Sequence, residues 1–242
     1  MRVRWWFVLG ILVLMPPLAA RAQEEVKVNG RVVDAEGKPV AGVKIGTNWN
    51  VDRQGEMNPY KGVYSGKEGR FSLTTTFFGR KQALLALDFD GKSGALLVLD
   101  EKGAAKPVEL KLGPLVHVHG QFFCKELEKK PTWTMVYMMS GAARFLGCSS
   151  DDASFSFHLP PGKYNFWGYG SDSRDLKKDI TLSADKPDFD MGTLDMEATI
   201  IARHKGKAPP KWHVTDARGV KKEVKTSDFK GKWVLLEFWG YW

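Results

Sequence analysis

Beyond residue 22 the chain is a succession of short runs in which apolar and polar residues alternate, separated by Gly, Asp, Asn and Pro. Val26–Val33, Val40–Ile45 and Val116–Phe123 are examples, and Gln82–Phe89 is a further strand-like run that is mostly apolar. A period of two places the apolar side chains on one face of a half-buried strand. No long stretch has the period of a helix. The pattern therefore predicts a mainly β protein built from two tandem antiparallel β-sandwiches.

The strand-like runs also divide the chain into segments. Those between residues 23 and 112 predict a first sandwich, in which the Asn- and Gly-rich segment 48–62 is expected to be a loop. The same pattern returns over residues 113–200 and predicts a second sandwich, a diverged repeat of the first. Residues 201–207 are polar and predict a linker, and residues 208–242 differ in character from both sandwiches.

The N-terminus has the three parts of a secretory signal peptide. Met1–Arg4 is positively charged, Trp5–Leu14 is apolar, and Ala20–Ala22 matches an A-x-A cleavage site. The apolar run is too short to span a hydrocarbon core of about 30 Å comfortably. We therefore expect a signal peptide over residues 1–22, export to the periplasm or the extracellular space, and no stable membrane insertion beyond the signal segment.

The charge of the chain argues against nucleic-acid binding. The formal net charge is +8, but the Lys residues are scattered through turns, as at Lys129-Lys130 and Lys177-Lys178. Affinity for phosphates needs a concentrated basic surface, so no nucleic-acid partner is predicted.

Three stretches of the first segment carry a family resemblance: Val28–Asp34, Gly37–Val43 and Gly69–Phe71. With these residues the segment resembles a carboxypeptidase regulatory-like domain, a transthyretin-like sandwich. The Pro160–Phe166 stretch matches a turn and strand common in such sandwiches. The resemblance implies a binding or spacer module and no chemistry.

The two cysteines, Cys124 and Cys148, allow two arrangements. In an oxidising compartment they form a disulfide, or they stay free and pack as small apolar groups. The sequence leaves both open. Their spacing is not that of a Cys-x-x-Cys pair, so neither is predicted to be catalytic.

Other candidate sites within the sandwiches have simpler explanations. His117 and His119 share one face of a strand, as two metal ligands would, but the sequence shows no third ligand. Asp88–Gly94 resembles the start of a calcium loop, yet a hairpin turn accounts for it. We predict no metal and no cofactor, and two partly exposed histidines.

The last segment carries a second resemblance. Trp233–Trp239 is almost continuously apolar, which predicts a central strand buried on both faces. Together with Ala208-Pro209 and Ser227–Lys232, it resembles the opening of a thioredoxin-like domain of the redoxin type, the alkyl hydroperoxide reductase/thiol-specific antioxidant and TlpA-like group. The resemblance implies an incomplete α/β fragment over 208–242 of an exported thiol–disulfide oxidoreductase or peroxide-handling redoxin. Its partners would be protein thiols and disulfides or a thiol reductant.

In that family a Cys-x-x-Cys motif follows the strand, and the residues leading to it would be Phe238, Trp239, Gly240, Tyr241 and Trp242. The chain ends one residue before the expected nucleophile. A selenocysteine codon read as a stop would explain this, as would a frameshift, a nonsense change or a clipped chain. As written, the polypeptide is expected to be catalytically incomplete.

A different class of function is also open. The sandwiches alone would make a non-catalytic binding or structural protein outside the cytoplasm, directed at a polymer or a protein partner. Exposed aromatic residues on the sandwich faces, notably Trp133, Trp167 and Tyr169, favour that alternative.

Overall fold

A computed structural model describes residues 25–88, 90–207, 213–235 and 237 of the chain. The predicted mainly β class is confirmed. Strands within these residues form four sheets, arranged as two sandwiches that are packed against each other.

The first sandwich pairs a three-stranded sheet with a five-stranded one. The strands up to residue 114 are, in chain order, β1 (Val26–Val33), β2 (Lys44–Gly46), β3 (Trp49–Val51), β4 (Met57–Pro59), β5 (Val63–Tyr64), β6 (Arg70–Thr75), β7 (Gln82–Leu87), β8 (Ser93–Leu99), β9 (Val108–Lys111) and β10 (Gly113–Pro114). Strands β3 and β4 belong to the second sandwich and the others to the first. The small sheet has the order β6-β1-β9 and the large one β10-β8-β7-β2-β5. Val28, Val32 and Phe71 of the small sheet pack against Ile45 and Leu84 of the large one.

The second sandwich repeats this arrangement. Its strands are β11 (Val116–Phe123), β12 (Thr134–Ser140), β13 (Ala143–Ser150), β14 (Ser154–Leu159), β15 (Gly162–Gly170), β16 (Leu176–Leu182) and β17 (Asp188–Asp195). They form a small sheet β14-β11-β17 and a large sheet β16-β15-β12-β13-β3-β4. When β1 is matched to β11 and β2 to β12, the small sheets have the same strand order, and β8-β7-β2-β5 of the first large sheet corresponds to β16-β15-β12-β13 of the second. Strand β10 and the pair β3 and β4 have no counterparts.

Three of the four described sheets are mixed, which corrects the expectation of antiparallel sandwiches, and the sheet β10-β8-β7-β2-β5 is antiparallel throughout. Strand β1 runs antiparallel to β6 but parallel to β9, and β11 likewise runs antiparallel to β14 but parallel to β17. The parallel pairs arise because the last strand of each sandwich crosses over to lie beside the first. Adjacent alternating runs predict hairpins well, but they carry no information about such crossovers.

The expected loop 48–62 contains a β-hairpin that crosses into the second sandwich. Strand β3 pairs with β4 and, in parallel, with β13, so that Trp49 lies opposite Leu146. Trp49 is 1% exposed, and its indole Nε1 donates a hydrogen bond to the Gly46 carbonyl oxygen at 3.0 Å. The hairpin buries its alternate side chains in the core of the second sandwich and so ties the two units together.

Strand β7 also connects the two cores, because its side chains belong alternately to one and to the other. Leu84 and Ala86 point into the first core, whereas Ala83, Leu85 and Leu87 belong to the core that fills the second sandwich. The strand is therefore buried on both faces, which explains why its sequence is apolar without alternation.

The helices are short. Helix α1 (Glu101–Ala104) is capped by the Asp100 carboxylate, which accepts from the Gly103 amide. Helix α2 (Ile200–His204) is capped by Thr199 and lies where a linker was expected. Short 3-10 turns occupy Lys67–Gly69, Lys125–Leu127 and Thr226–Phe229. The Arg203 guanidinium donates two hydrogen bonds to the Glu126 carboxylate, at 2.6 and 2.9 Å, and holds α2 against the second sandwich.

The predicted thioredoxin-like fragment over 208–242 is wrong. Its described residues, 213–235 and 237, contain no strand and one 3-10 turn. Trp233 is fully exposed and Leu235 is 92% exposed, where a central strand would bury both. An apolar run becomes a central strand only between two neighbouring strands, and no described strand pairs with this run. The predicted approach residues Phe238, Trp239, Gly240, Tyr241 and Trp242 lie outside the described residues.

Residues 1–22, the predicted signal peptide, also lie outside the described residues. Among the residues that are described, no helix has the length and apolar character needed to cross a membrane.

Candidate functional site

The outer face of the large sheet of the second sandwich carries a group of aromatic side chains. Strand β15 alternates sharply, with Tyr164 and Phe166 buried at 2% and 1% exposure and Trp167 and Tyr169 on the opposite face. Tyr137 projects from β12 on the same face, and Trp133 precedes that strand. We call Trp133, Tyr137, Trp167 and Tyr169 the aromatic surface.

The four rings of the aromatic surface form a connected cluster. Tyr137 lies directly across the strand pair from Trp167, and their ring centroids are 6.2 Å apart. Tyr169 lies 5.8 Å from Tyr137 and 6.0 Å from Trp167, and Trp133 meets it edge-on at 6.0 Å. Such spacings are typical of aromatic pairs that stabilise each other, so the cluster is held rigidly on the sheet.

A glycine allows Tyr137 to lie along the sheet. Gly147 of β13 is the residue directly opposite Tyr137. A Cβ atom added at Gly147 would come within 3.4 Å of the Tyr137 ring. That distance is an ordinary van der Waals contact, so the Tyr137 ring lies over Gly147 with room for little more than a methyl group beneath it.

Charged and polar groups surround the rings. The Arg144 guanidinium carbon lies 4.4 Å from the centroid of Tyr137, and the Lys177 ammonium nitrogen lies 4.6 Å from that of Trp167, both distances at which cation–π attraction operates. The Trp167 indole donates to the Asp175 carboxylate at 3.2 Å. A ligand on this face would meet apolar ring surface bordered by donors and acceptors.

A hydrogen bond with Tyr137 raises the pKa of Tyr169 above its ordinary value, with a smaller contribution from burial. The Tyr169 hydroxyl is therefore uncharged at neutral pH and can act as a donor or an acceptor to a ligand.

A groove of about 470 Å³ lies elsewhere, between the β3–β4 hairpin and strands β13 and β14. Arg53 forms an exposed ion pair with Asp151 across it at 3.1 Å. Asp152 accepts hydrogen bonds from Ser150 and Ser154, which lower the pKa of its carboxyl to about 2. These side chains bond within their own loop, as turn residues do, and form no nucleophile–base pair.

Both cysteines are free and buried in the structure. Cys148 also borders the groove, and desolvation raises the pKa of its thiol to about 11. The nucleophilic form of cysteine is the thiolate, so at neutral pH Cys148 is a protonated, unreactive thiol. His117 and His119 lie on the outer face of the small sheet of the second sandwich, about a third exposed.

Comparison with known proteins gives little guidance to function. No family model matches the chain. No curated protein matches it either. Among solved structures, the Bacillus anthracis TIE protein is 8% identical with a TM-score of 0.33, over 72% of this chain and 34% of its own. The Streptococcal ancillary pilin is 13% identical with a TM-score of 0.32, over 73% of this chain and 63% of its own.

The shaft pilin spaA from Lactobacillus rhamnosus GG is 9% identical with a TM-score of 0.30, over 73% of this chain and 98% of its own. Scores this low carry no argument about what the chain does. None of these proteins is thioredoxin-like, and the oxidoreductase, redoxin and antioxidant assignments drawn from the last segment find no support.

The sequence pointed to Trp133, Trp167 and Tyr169 separately, and the structure brings them together around Tyr137. Tyr137 was missed because β12 reads Met-Val-Tyr-Met-Met, in which both faces are apolar and no alternation is visible. The signal available was indirect: the small Gly147 opposite a ring, which only the strand register reveals.

Proposed function

We propose that the protein is a non-catalytic, exported β-sandwich protein that binds an extended carbohydrate polymer on its aromatic surface. The observation that carries the proposal is the cluster of four outward-facing rings on one sheet face, bordered by Arg144 and Lys177. This proposal takes the place of the oxidoreductase function that the last segment suggested.

Exposing aromatic rings to water is energetically unfavourable. Large aromatic side chains dominate the energetics of buried surfaces, and a contiguous exposed group of them marks an interaction site. Strand pairing explains two adjacent aromatics on a sheet, but a cluster of four with partly open faces exceeds what the strands need for their own stability.

A carbohydrate polymer matches this surface better than a globular protein does. The apolar C–H faces of sugar rings stack on flat aromatic rings, while their hydroxyls need donors and acceptors at the rim. Arg144, Lys177 and Asp175 supply those at the edges of Tyr137 and Trp167. The flexible stems of Arg and Lys let these groups move off the rings and towards a ligand.

The common strand order of the small sheets and of four strands in each large sheet supports two related sandwich units over about 23–112 and 113–200, acting as carriers of the binding face. Export rests on the signal-peptide pattern of Met1–Ala22.

Sedimentation with insoluble chitin and cellulose, and affinity electrophoresis with alginate, test the proposal with neutral and acidic polymers. We expect binding to at least one, weakened about tenfold or more by Trp167→Ala or Tyr137→Ala, since each ring contributes more than about 1 kcal/mol at the centre of a site. Tyr64→Ala is the matched control, because Tyr64 is 61% exposed on the first sandwich.

Two results would overturn the proposal. One is the absence of binding to these polymers and to a broad glycan array. The other is binding that Trp167→Ala and Tyr137→Ala reduce no more than Tyr64→Ala does. Saturable binding of the aromatic surface to a protein instead would replace the carbohydrate with a protein partner.

A further inference from the structure

The small sheet of the second sandwich, the sheet opposite the one that bears the aromatic surface, carries a group of polar and ionisable side chains. Its three strands place outward-facing side chains in rows. In one row His158 of β14, His117 of β11 and Asp188 of β17 are register partners. The next row contains Ser156 and His119, together with Asp190.

Asp188 is the centre of this group. One of its carboxylate oxygens lies 2.9 Å from Nδ1 of His117, and the other lies 3.2 Å from Nε2 of His119. One ligand atom from each of the three residues can be chosen so that all lie within 4.8 Å of one another. The side chains are 31% to 61% exposed, so an ion from solvent can reach them.

These distances are close to those of a metal site. Zinc binds imidazole nitrogen and carboxylate oxygen at about 2.0–2.2 Å, which separates neighbouring ligand atoms of a tetrahedral ion by about 3.3 Å. The nitrogen–oxygen distances of 2.9 and 3.2 Å involve the two different oxygens of Asp188, and one ligand atom from each residue lies within 4.8 Å of the other two, so the side chains have to draw slightly closer together around an ion. Two imidazoles and one carboxylate are also a ligand set that divalent transition metals favour.

The second nitrogen of each imidazole has a partner of its own. Nε2 of His117 lies 2.9 Å from the Ser156 hydroxyl, and Nδ1 of His119 lies 3.6 Å from an Asp190 carboxylate oxygen. Metal-binding histidines are commonly oriented by a hydrogen bond from the nitrogen that does not face the ion, as His117 is by Ser156, whereas the His119–Asp190 distance is too long for a hydrogen bond. The His117 ring is further fixed between the rings of His119 and His158, at centroid distances of 4.6 and 4.8 Å.

The sequence could not reveal this set. His117 and His119 are visible as a pair, but Asp188 is 71 residues from His117. It reaches the pair only through the parallel crossover of β17 beside β11, which the alternation of neighbouring strands does not predict.

We propose that His117, His119 and Asp188 form a mononuclear site for a divalent transition metal of the zinc class. The protein supplies three ligands, and the remaining coordination position is open to water or to a ligand atom from a partner. Because Asp188 belongs to β17 and both histidines to β11, the ion would also pin the closing strand of the sandwich to the first.

The test uses the mature full chain without a histidine tag, titrated with zinc by calorimetry and by competition with a chromophoric chelator. We expect one ion per chain with a dissociation constant of about 10 μM or tighter, equivalent to roughly 7 kcal/mol. His119→Ala and Asp188→Asn should each weaken binding about 100-fold or more, because two ligands hold zinc poorly. Ser156→Ala, which removes only the partner of His117, should weaken it about 10-fold.

His204→Ala is the matched control, since His204 is exposed at the end of α2, outside this group. Circular dichroism and the melting temperature establish that each variant is folded. A second measurement needs no variant of the site: zinc should shift the ring NMR signals of His117 and His119 in the unaltered chain and leave that of His204 in place.

No saturable zinc binding up to about 100 μM would overturn the proposal, because such weak binding is below that of a three-ligand site. Binding that shifts the His204 signal, or that survives in both His119→Ala and Asp188→Asn, would equally overturn it. The result is independent of carbohydrate binding, which the aromatic surface on the other sheet would mediate.

Discussion

Strands β7 and β15 hold the same position in the strand orders of the two sandwiches, yet their outer faces differ. The outer residues of β7, such as Leu85, are packed into the core of the second sandwich. The outer residues of β15, Trp167 and Tyr169, face solvent. One strand is apolar on both faces because a neighbouring sandwich covers it, whereas no described sheet covers the outer face of the other, where Trp167 and Tyr169 are partly exposed. The aromatic surface is therefore not explained by packing within the molecule.

The outer faces of the two small sheets also differ, in the side chains that they carry. In the first sandwich the outward positions of β1 carry ordinary surface pairs, with Arg31 bonded to Glu109 at 2.8 Å and Asn29 bonded to Ser72 at 2.9 Å. In the second the corresponding strand β11 carries the His117–His119 pair and faces Asp188. The aromatic surface and the group of His117, His119 and Asp188 thus both belong to the second sandwich. The segment of the first sandwich contributes the β3–β4 hairpin, and the outer face of its strand β7 is covered.

The largest expected loss of stability comes from a substitution on the covered face of β7. Leu85→Ala removes a fully buried side chain at the junction of the sandwiches and should lower the free energy of unfolding by about 2–5 kcal/mol. Trp167→Ala on the matching strand should cost no more than about 1 kcal/mol, because its ring is only partly covered. Urea denaturation of both variants measures the difference. Equal losses would show that β15 is as much a core strand as β7.

A smaller effect separates the two faces of β15 itself. The buried Tyr164 hydroxyl donates to the Pro160 carbonyl oxygen at 2.6 Å, and burial raises its pKa above the ordinary value. Tyr164→Phe leaves that carbonyl without its donor and should cost about 1–3 kcal/mol. Tyr169→Phe, on the outer face, should cost less than half as much in the same denaturation experiment. The reverse order would contradict the assignment of the two faces.

The loop that borders the groove should show a dependence on pH. Hydrogen bonds from Ser150 and Ser154 lower the pKa of Asp152 to about 2, so its stabilising contribution is complete above its ordinary pKa and is lost as the pH falls towards 2. Because the group is exposed, Asp152→Asn should lower the melting temperature at pH 7 by only about 1–2 °C. The gap between variant and parent should close by pH 2, and a gap that widens on acidification would refute the assignment.

The smallest effect concerns the last segment. Its described residues form no strand and leave Trp233 exposed, so a chain ending at Lys207 should keep the melting temperature of the full chain within about 1 °C. Differential scanning calorimetry of the two chains gives the comparison. A drop of several degrees would mean that this segment belongs to the folded sandwiches.

The sequence predicted the elements whose burial follows from their own pattern. Val26–Val33 and Val116–Phe123 are strands with the expected bounds, because each covers a core with one face. The sequence predicts a loop in place of the β3–β4 hairpin, because the three-residue strands of the hairpin are stabilised by β13, about 100 residues further along the chain. It predicts a central strand at Trp233–Trp239 because an apolar run shows that a segment favours burial, but not whether partner strands exist for it.

The most direct test of the binding surface follows the tryptophan side-chain NMR signals of the full chain during titration with a soluble fragment of a polymer that binds. Trp133 and Trp167 lie on the aromatic surface, whereas Trp49 is buried with its indole hydrogen-bonded to Gly46. If the ligand binds at the aromatic surface, the indole N–H signals of Trp133 and Trp167 should shift in a saturable way, and that of Trp49 should stay in place. A ligand that binds without moving the Trp167 signal would contradict the account.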